Sequence, residues 1–241
     1  MPLRARATRL THQFVRLRAY FRNEFDRLRD VERNLKALET QSAAEIHSTA
    51  IHEAGHAALG MALGFDVVGV SIIPDFRDRT AGRVLSKTDT ATSRAKMAGR
   101  EAFYLRHAIC CYAGAEAVRQ LIPTDADPDA GASCDQQTAA ELIIHQIGGN
   151  AEARDFLFSL ARRRCALLVA HYQPEIQSLA CALEAKLILS GRVARKVLMK
   201  SLTKRAGRPM IFATDPMLAG LAGDEAFQSF LRWISLPGRA H

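Results

Sequence analysis

Nowhere in these 241 residues is there an apolar run of about 18 or more, the length a helix needs to cross a bilayer, so no integral membrane segment is expected. The basic opening "MPLRARATRLTHQFVRLRAY" never turns apolar for long enough to be a secretion signal, and it is too poor in serine for an organelle transit peptide. Cysteine is scarce and badly arranged for cross-linking. The five residues, Cys110, Cys111, Cys134, Cys165 and Cys181, are odd in number, two are adjacent, and no C-x-x-C zinc pair exists. That excludes a disulfide framework and leads to the expectation of reduced thiols in a cytoplasmic protein. No G-x-x-x-x-G-K-[ST] phosphate loop is present, so this sequence carries no ATPase module of that kind. Aromatic residues are also few, and none interleaves the basic stretch 186–208, so a stacking platform for single-stranded nucleic acid has no support.

What the chain does have is a core. Its apolar share of 48% is enough to fold rather than to remain disordered. Its net charge of +8 is unevenly spread, with acid-free basic runs over residues 4–22 and 186–208. Such runs can meet nucleic acid, an anionic surface or an acidic partner, but solvated helix faces are the ordinary explanation, and no nucleic-acid partner is expected.

Apolar residues recur at intervals of three and four from Phe14 to Leu38, which predicts an amphipathic helix over residues 12–38, near-heptad in spacing and able to pack on the domain or on a second copy. A helix over 43–63 follows, with Gly64 just past its end. "DVVGVSIIP" is β-branched and stopped by Pro74, and "AGRVLS" follows the polar turn "DFRDRT", so two short strands are expected. Further helices are expected over 93–121, 135–147, 151–172 and 174–189, with a short one from Arg192 and a last one around 224–233. Small residues in "CCYAGAEA" would let another helix approach the first of these closely. The expected class is mainly α with a small β-sheet (α+β). The expected organisation is a basic N-terminal helix over 1–40, a catalytic domain over 41–200 and a tail over 201–241.

The chemistry concentrates in "STAIHEAGHAALG", residues 48–60. His52 and His56 are four apart, so on a helix they share one face and can converge on one ion. Zinc takes such nitrogens in a tetrahedron. Glu53 is turned about 100° from His52, so it flanks the metal, where it can take the proton of a zinc-bound water and pass it to a leaving amine. His-Glu-x-x-His is a metallopeptidase signature with a real rate of chance matches. The alanine-rich helix around it favours the metal, and Gly55 inside that helix implies that something passes close by. A catalytic zinc needs a third protein ligand. His47, His107, His145, Glu116, Asp135 and Glu141 are the candidates, and their chemistry alone does not choose among them. His47 also has an ordinary reading as a surface residue, His107 and His145 as core or boundary residues, and Asp135 as a helix cap.

Several pieces in order resemble the peptidase domain of the FtsH-type ATP-dependent zinc metalloproteases. "AIHEAGHAALG" resembles that family's zinc helix. "VVGVSIIPDFRDRTAGRVLS" resembles its strand, turn and strand, with Gly82 opening the second strand. "AGAEAVRQL", "GASCDQQTAAEL" and "ALEAKLILSGRVARKVL" resemble the helices that follow. The similarity spans about residues 44–198. It implies a helical zincin-like metallopeptidase domain that binds Zn2+ through His52, His56 and Asp135, with Glu53 as general base. It further implies hydrolysis of peptide bonds in polypeptide substrates. The sequence departs from the family in lacking the ATPase module and membrane spans, and in placing Val118 and Arg119 where paired glutamates usually follow the alanine-glycine stretch. Substrates are therefore expected to be unfolded or flexible segments, unless an ATPase partner acts in trans. The family's rings leave a homo-oligomer open. The segment 67–73 is expected to be an edge strand that binds substrate by strand addition. The competing readings are a catalytically silent zinc-stabilised scaffold, an adaptor using its basic ends, and a metallopeptidase of another lineage with a different third ligand.

Overall fold

The structure is a computed structural model and describes residues 31–75, 80–86, 100–124, 132–147 and 151–206, with the side chains of 31–35, 100–102, 145–147 and 206 left aside. It is mainly helical with one small antiparallel sheet, as the hydrophobic periodicity predicts. The described elements are α1 (Val31–Thr40), α2 (Ala43–Ala62), β1 (Val67–Ser71), β2 (Arg83–Ser86), α3 (Arg100–Leu121), α4 (Ser133–Ile147), α5 (Ala151–His171), α6 (Gln173–Lys186), β3 (Ile188–Ser190) and α7 (Gly191–Ala206). Most of the N-terminal helix expected over 12–38, the polar turn between the strands, the start of the helix expected from residue 93 and the last helix around 224–233 lie outside the described residues. Within α1, Leu38 is buried against the core, so this end of the N-terminal segment packs on the domain.

Helix α2 is the centre of the fold. A capping box starts it: the Ser42 hydroxyl accepts from the Glu45 backbone N–H at 3.2 Å, and the Glu45 carboxylate accepts from the Ser42 N–H at 2.6 Å. Those hydrogen bonds also hold the Glu45 carboxyl below its ordinary range. Gly64 ends the helix with φ 92°, its N–H donating to Met61 O and that of Phe65 to Gly60 O, the pairing of a Schellman turn. Between these ends Ala50, Ala54, Ala57 and Ala58 are fully buried, and α3 and α6 pack on the helix from two sides.

The glycine inside α2 has its explanation in α3. A Cβ on Gly55 would lie 2.6 Å from Ala113 O and 2.7 Å from the Ala117 Cβ, so the two helices meet backbone to backbone. Gly55→Ala is expected to lower stability by about 1–3 kcal/mol through overpacking, although alanine is the better helix former. A urea midpoint unchanged or raised by this substitution would contradict the close crossing.

The sheet order is β2-β1-β3, with Ser71 opposite Arg83 on one side and opposite Ile188 on the other. Three expectations are corrected here. The segment 67–73 is not an edge strand: β1 is central, and Ile72 N–H donates to Leu187 O at 2.9 Å, so an added peptide cannot pair with it. The helix expected over 174–189 stops at Lys186, where Leu187 takes the left-handed conformation (φ 64°) and the chain enters β3. Leu187, Ile188 and Leu189 are all buried, and three consecutive buried residues suit a strand covered on both faces better than one face of a helix. Helix α7 then begins at once and runs for 16 residues rather than being short. Its first residue must be glycine, because a Cβ on Gly191 would overlap Val67 O on the neighbouring strand. Among the described residues no helix is long and apolar enough to cross a membrane.

Candidate metal centre

Three elements bring the site together. Helix α2 supplies His52 and His56 from successive turns of one face. Helix α4 supplies Asp135 from its first turn, where a carboxylate also faces the positive end of the helix dipole. Helix α3 passes beneath them and leaves no side chain in the way: a Cβ on Gly114 would lie 2.4 Å from His52 Nε2 and 2.5 Å from His56 Nε2. His52 Nε2 and His56 Nε2 are 3.0 Å apart, and Asp135 Oδ2 lies 3.4 Å from the first and 3.2 Å from the second. Ligands at 2.0–2.1 Å around a tetrahedral zinc are separated by about 3.3 Å, so the triangle has the edge length such an ion requires.

Proton accounting points the same way. The Cys110 carbonyl can only accept, so the His56 Nδ1–H donates to it at 2.7 Å. In neutral His56 this leaves a bare lone pair on Nε2, directed at His52 and Asp135. An ionised Asp135 is also an acceptor, and one proton on His52 Nε2 can serve only one of the three contacts. A cation at the centre satisfies all three donor atoms at once. Without it, His56 is pushed up to about 9: burial pulls it down, but the hydrogen bond and charge of Asp135, the charge of Glu53 and the Cys110 carbonyl outweigh that. Burial lowers His52 against the pull of Asp135. Asp135 itself is opposed by burial but held well below the usual carboxylate range by the two imidazoles.

Glu53 stands beside this triangle and outside it. It is buried, and Gly82 at the entry to β2 closes over it: a Cβ there would lie 2.7 Å from the Glu53 Cγ and 2.8 Å from Oε1. Burial pushes its carboxyl up to about 7, Asp135 adds to the rise, and His56 and Arg83 oppose it. The four residues open onto a cleft of about 920 Å3 walled by α2, β2, α3 and α4.

Of the six candidates for a third ligand, only Asp135 is shown beside the histidines. His47 is on the surface and pairs with Glu184. Glu116 is paired with Arg119 and Gln120, and Glu141 with Gln137. His107 lines the cleft but packs between the rings of Phe65 and Phe103. The side chain of His145 lies outside the described residues. Gly114 and the Cys110 carbonyl escaped the sequence reading. The small-residue stretch around them signals a close helix crossing, but it does not say that two imidazoles lie in that space.

Three of the five thiols are held protonated by their surroundings. Burial pushes Cys111 up to about 12 and raises Cys110 and Cys165 strongly, whereas Cys134, next to Asp135, and Cys181 on α6 are exposed.

The charges predict a pH dependence. His56, raised above its ordinary 6.5, stabilises the metal-free fold below that value and loses this contribution as pH rises through about 9. Glu53, raised above its ordinary 4.5, contributes below that value and loses it as pH rises through about 7. The metal-free protein therefore loses stability over that span, while a dication displaces the His56 proton and draws down Glu53. Zinc affinity is expected to rise with pH from about 6 to 9. Calorimetry at pH 7 in buffers of different ionisation enthalpy should show proton release, and a buffer-independent heat would refute the assignment.

A comparison with protein families finds no family model that matches this chain, and a search of curated proteins finds no match either.

Proposed function

We propose that this chain is a zinc-dependent endopeptidase of the FtsH type, acting on unfolded or flexible polypeptide segments. The observation that carries the reading is the convergence of His52 Nε2, His56 Nε2 and Asp135 Oδ2 at tetrahedral spacing, with a buried carboxylate beside them and an open cleft in front. Zinc held by these three residues supplies Lewis acidity and activates water near neutral pH. Glu53 receives the proton of the attacking water and delivers it to the departing amine. Burial raises the Glu53 carboxyl and a bound dication would draw it back down, so it would be ionised to take the first proton and, once protonated, able to deliver it. His56 is fixed in tautomer and direction by the Cys110 carbonyl, and the bare floor at Gly114 keeps the donor atoms clear.

The substrate path follows from β2. Its inner side is bonded to β1, and among the described residues no strand takes its outer side. Residues 80–84 and 86 line the cleft, so an extended peptide can add there and run past Glu53. With no phosphate loop in the sequence, segments already unfolded are the fitting substrates unless an ATPase acts in trans. The five cysteines, odd in number and all free thiols, fit a reducing, cytoplasmic setting.

The test pairs metal content with cleavage of unfolded casein. About one zinc per chain is expected, with cleavage lost to a chelator and restored by added zinc. Zinc without cleavage would favour the silent zinc-stabilised scaffold, and folded protein with no metal would sink both readings.

A further inference from the structure

We propose that the outer face of α7 is a docking surface for acidic polypeptide, which holds acidic stretches of a substrate beside the cleft. That the captured chain is then cut rests on the peptidase reading. The docking itself rests on α7.

Arg192, Arg195, Lys196, Lys200 and Lys204 are all exposed on α7, and this helix contains no acid. Four of them follow one another at intervals of four, so they form a row along one side of the helix. Among the described residues none of the five makes a hydrogen bond or an ion pair, whereas Arg205 at the far end is bonded to buried Glu175. The arrangement works against the helix. Arg192, Lys196, Lys200 and Lys204 make three successive like-charged pairs at the spacing where side chains meet. Arg192 and Arg195 also stand near the positive end of the helix dipole, where a cation is unfavourable. Helix α3, by contrast, pairs Glu116 with Arg119. An ordinary solvated face gains nothing from five unpaired like charges, whereas an anionic partner relieves the repulsion along the whole row.

Three observations select a polypeptide as that partner. The larger apolar side chains of α7 are engaged by the core: Leu198 and Leu202 are buried, and Val193, Val197 and Met199 pack against it, so none is left to enter a bilayer. No aromatic residue lies between Lys186 and Ala206, so the bases of a single strand find nothing to stack on. Position is the third. Helix α7 starts at Gly191, whose backbone packs on Val67 so closely that a Cβ would overlap Val67 O, and Val67 lines the cleft. The row therefore begins beside the cleft proposed to act on polypeptides. Its spacing suits an extended chain. Four residues of helix rise about 6 Å, and alternate side chains of an extended peptide are about 6.4–6.8 Å apart on one side. An unfolded segment with an acid at every second position can set a carboxylate against each cation of the row.

The closing experiment separates docking from cleavage. Labelled unstructured peptides with Glu or with Gln at every second position are titrated into full-length Glu53→Gln protein, and binding is read by fluorescence anisotropy. About tenfold tighter binding of the Glu peptide is expected at low salt, fading as ionic strength rises. Lys196→Gln combined with Lys200→Gln should remove most of that preference, and Lys196→Arg with Lys200→Arg should keep it. The glutamine pair should melt no lower than the wild type, because it relieves like-charge pairs. In the enzyme with Glu53 intact, the glutamine pair should raise KM for a substrate bearing the Glu stretch and leave kcat alone. Equal binding of the two peptides, or a preference that survives the glutamine pair, overturns the inference. So does tighter binding of duplex DNA or of phosphatidylserine vesicles than of the Glu peptide, lost in the glutamine pair, because the face would then belong to nucleic acid or to a membrane. Selective docking with no cleavage by the wild type would keep the docking surface and remove the peptidase reading, and cleavage indifferent to the acidic stretch would do the reverse.

Discussion

Glu53→Gln should leave about one zinc per chain in place and lower kcat by about 10²- to 10⁴-fold, the usual contribution of a positioned general base. Glutamine keeps the shape of the side chain under Gly82, where a Cβ would already be 2.7 Å from the Glu53 Cγ, so no repacking is needed. It cannot accept the proton. The same change should raise the stability of the metal-free protein above about pH 7, because it removes a carboxylate that burial makes costly to ionise. Loss of turnover with that gain in stability identifies a catalytic group that the fold tolerates at a cost. An active Glu53→Gln enzyme would assign the proton transfer to another residue, and loss of zinc would make Glu53 a ligand.

The second large effect is expected from a residue with no side chain. Gly114→Ala puts a methyl group 2.4–2.5 Å from the Nε2 atoms of His52 and His56, in the volume that a bound ion and its ligands would need. Zinc affinity should fall by about 100-fold or more, beyond the usual effect of altering a residue that supports the ligands. Turnover should be lost with it, although His52, His56 and Asp135 are untouched. Alanine is favoured over glycine in a helix interior by about 1 kcal/mol, so the chelated protein should remain folded. Competition with a chromophoric chelator gives the affinity, and thermal melting of the metal-free form gives the control. A variant that binds zinc as the wild type does would show that no ion lies above Gly114.

The sequence carried these features unequally. His52, Glu53 and His56 could be read directly, because helix geometry turns a four-residue interval into a shared face. Asp135 is separated from His52 by 83 positions, and nothing local distinguishes it from a helix cap. Only the resemblance pointed to it, and the structure then brought its carboxylate to the histidines. The helices were legible where one face is apolar. The path from α6 through β3 to α7 was not, because "KLILSGRV" is apolar enough to continue a helix, and its strand character comes from pairing with distant β1. The position of β1 within the sheet was hidden for the same reason: a strand's neighbours are a tertiary property. Gly55 was read correctly as a close approach, whereas the meaning of Gly114 required knowing what approached.

The burial of the cysteines gives the protein built-in labelling sites. Cys111 and Cys165 are buried and Cys110 is strongly raised, so a thiol-directed dye at neutral pH is confined to Cys134 and Cys181. Cys134 lines the cleft and neighbours Asp135, while Cys181 sits outside the cleft on α6. Natural protein, with no engineered positions, can therefore carry one probe that senses whether the cleft is filled and a second that serves as its internal reference.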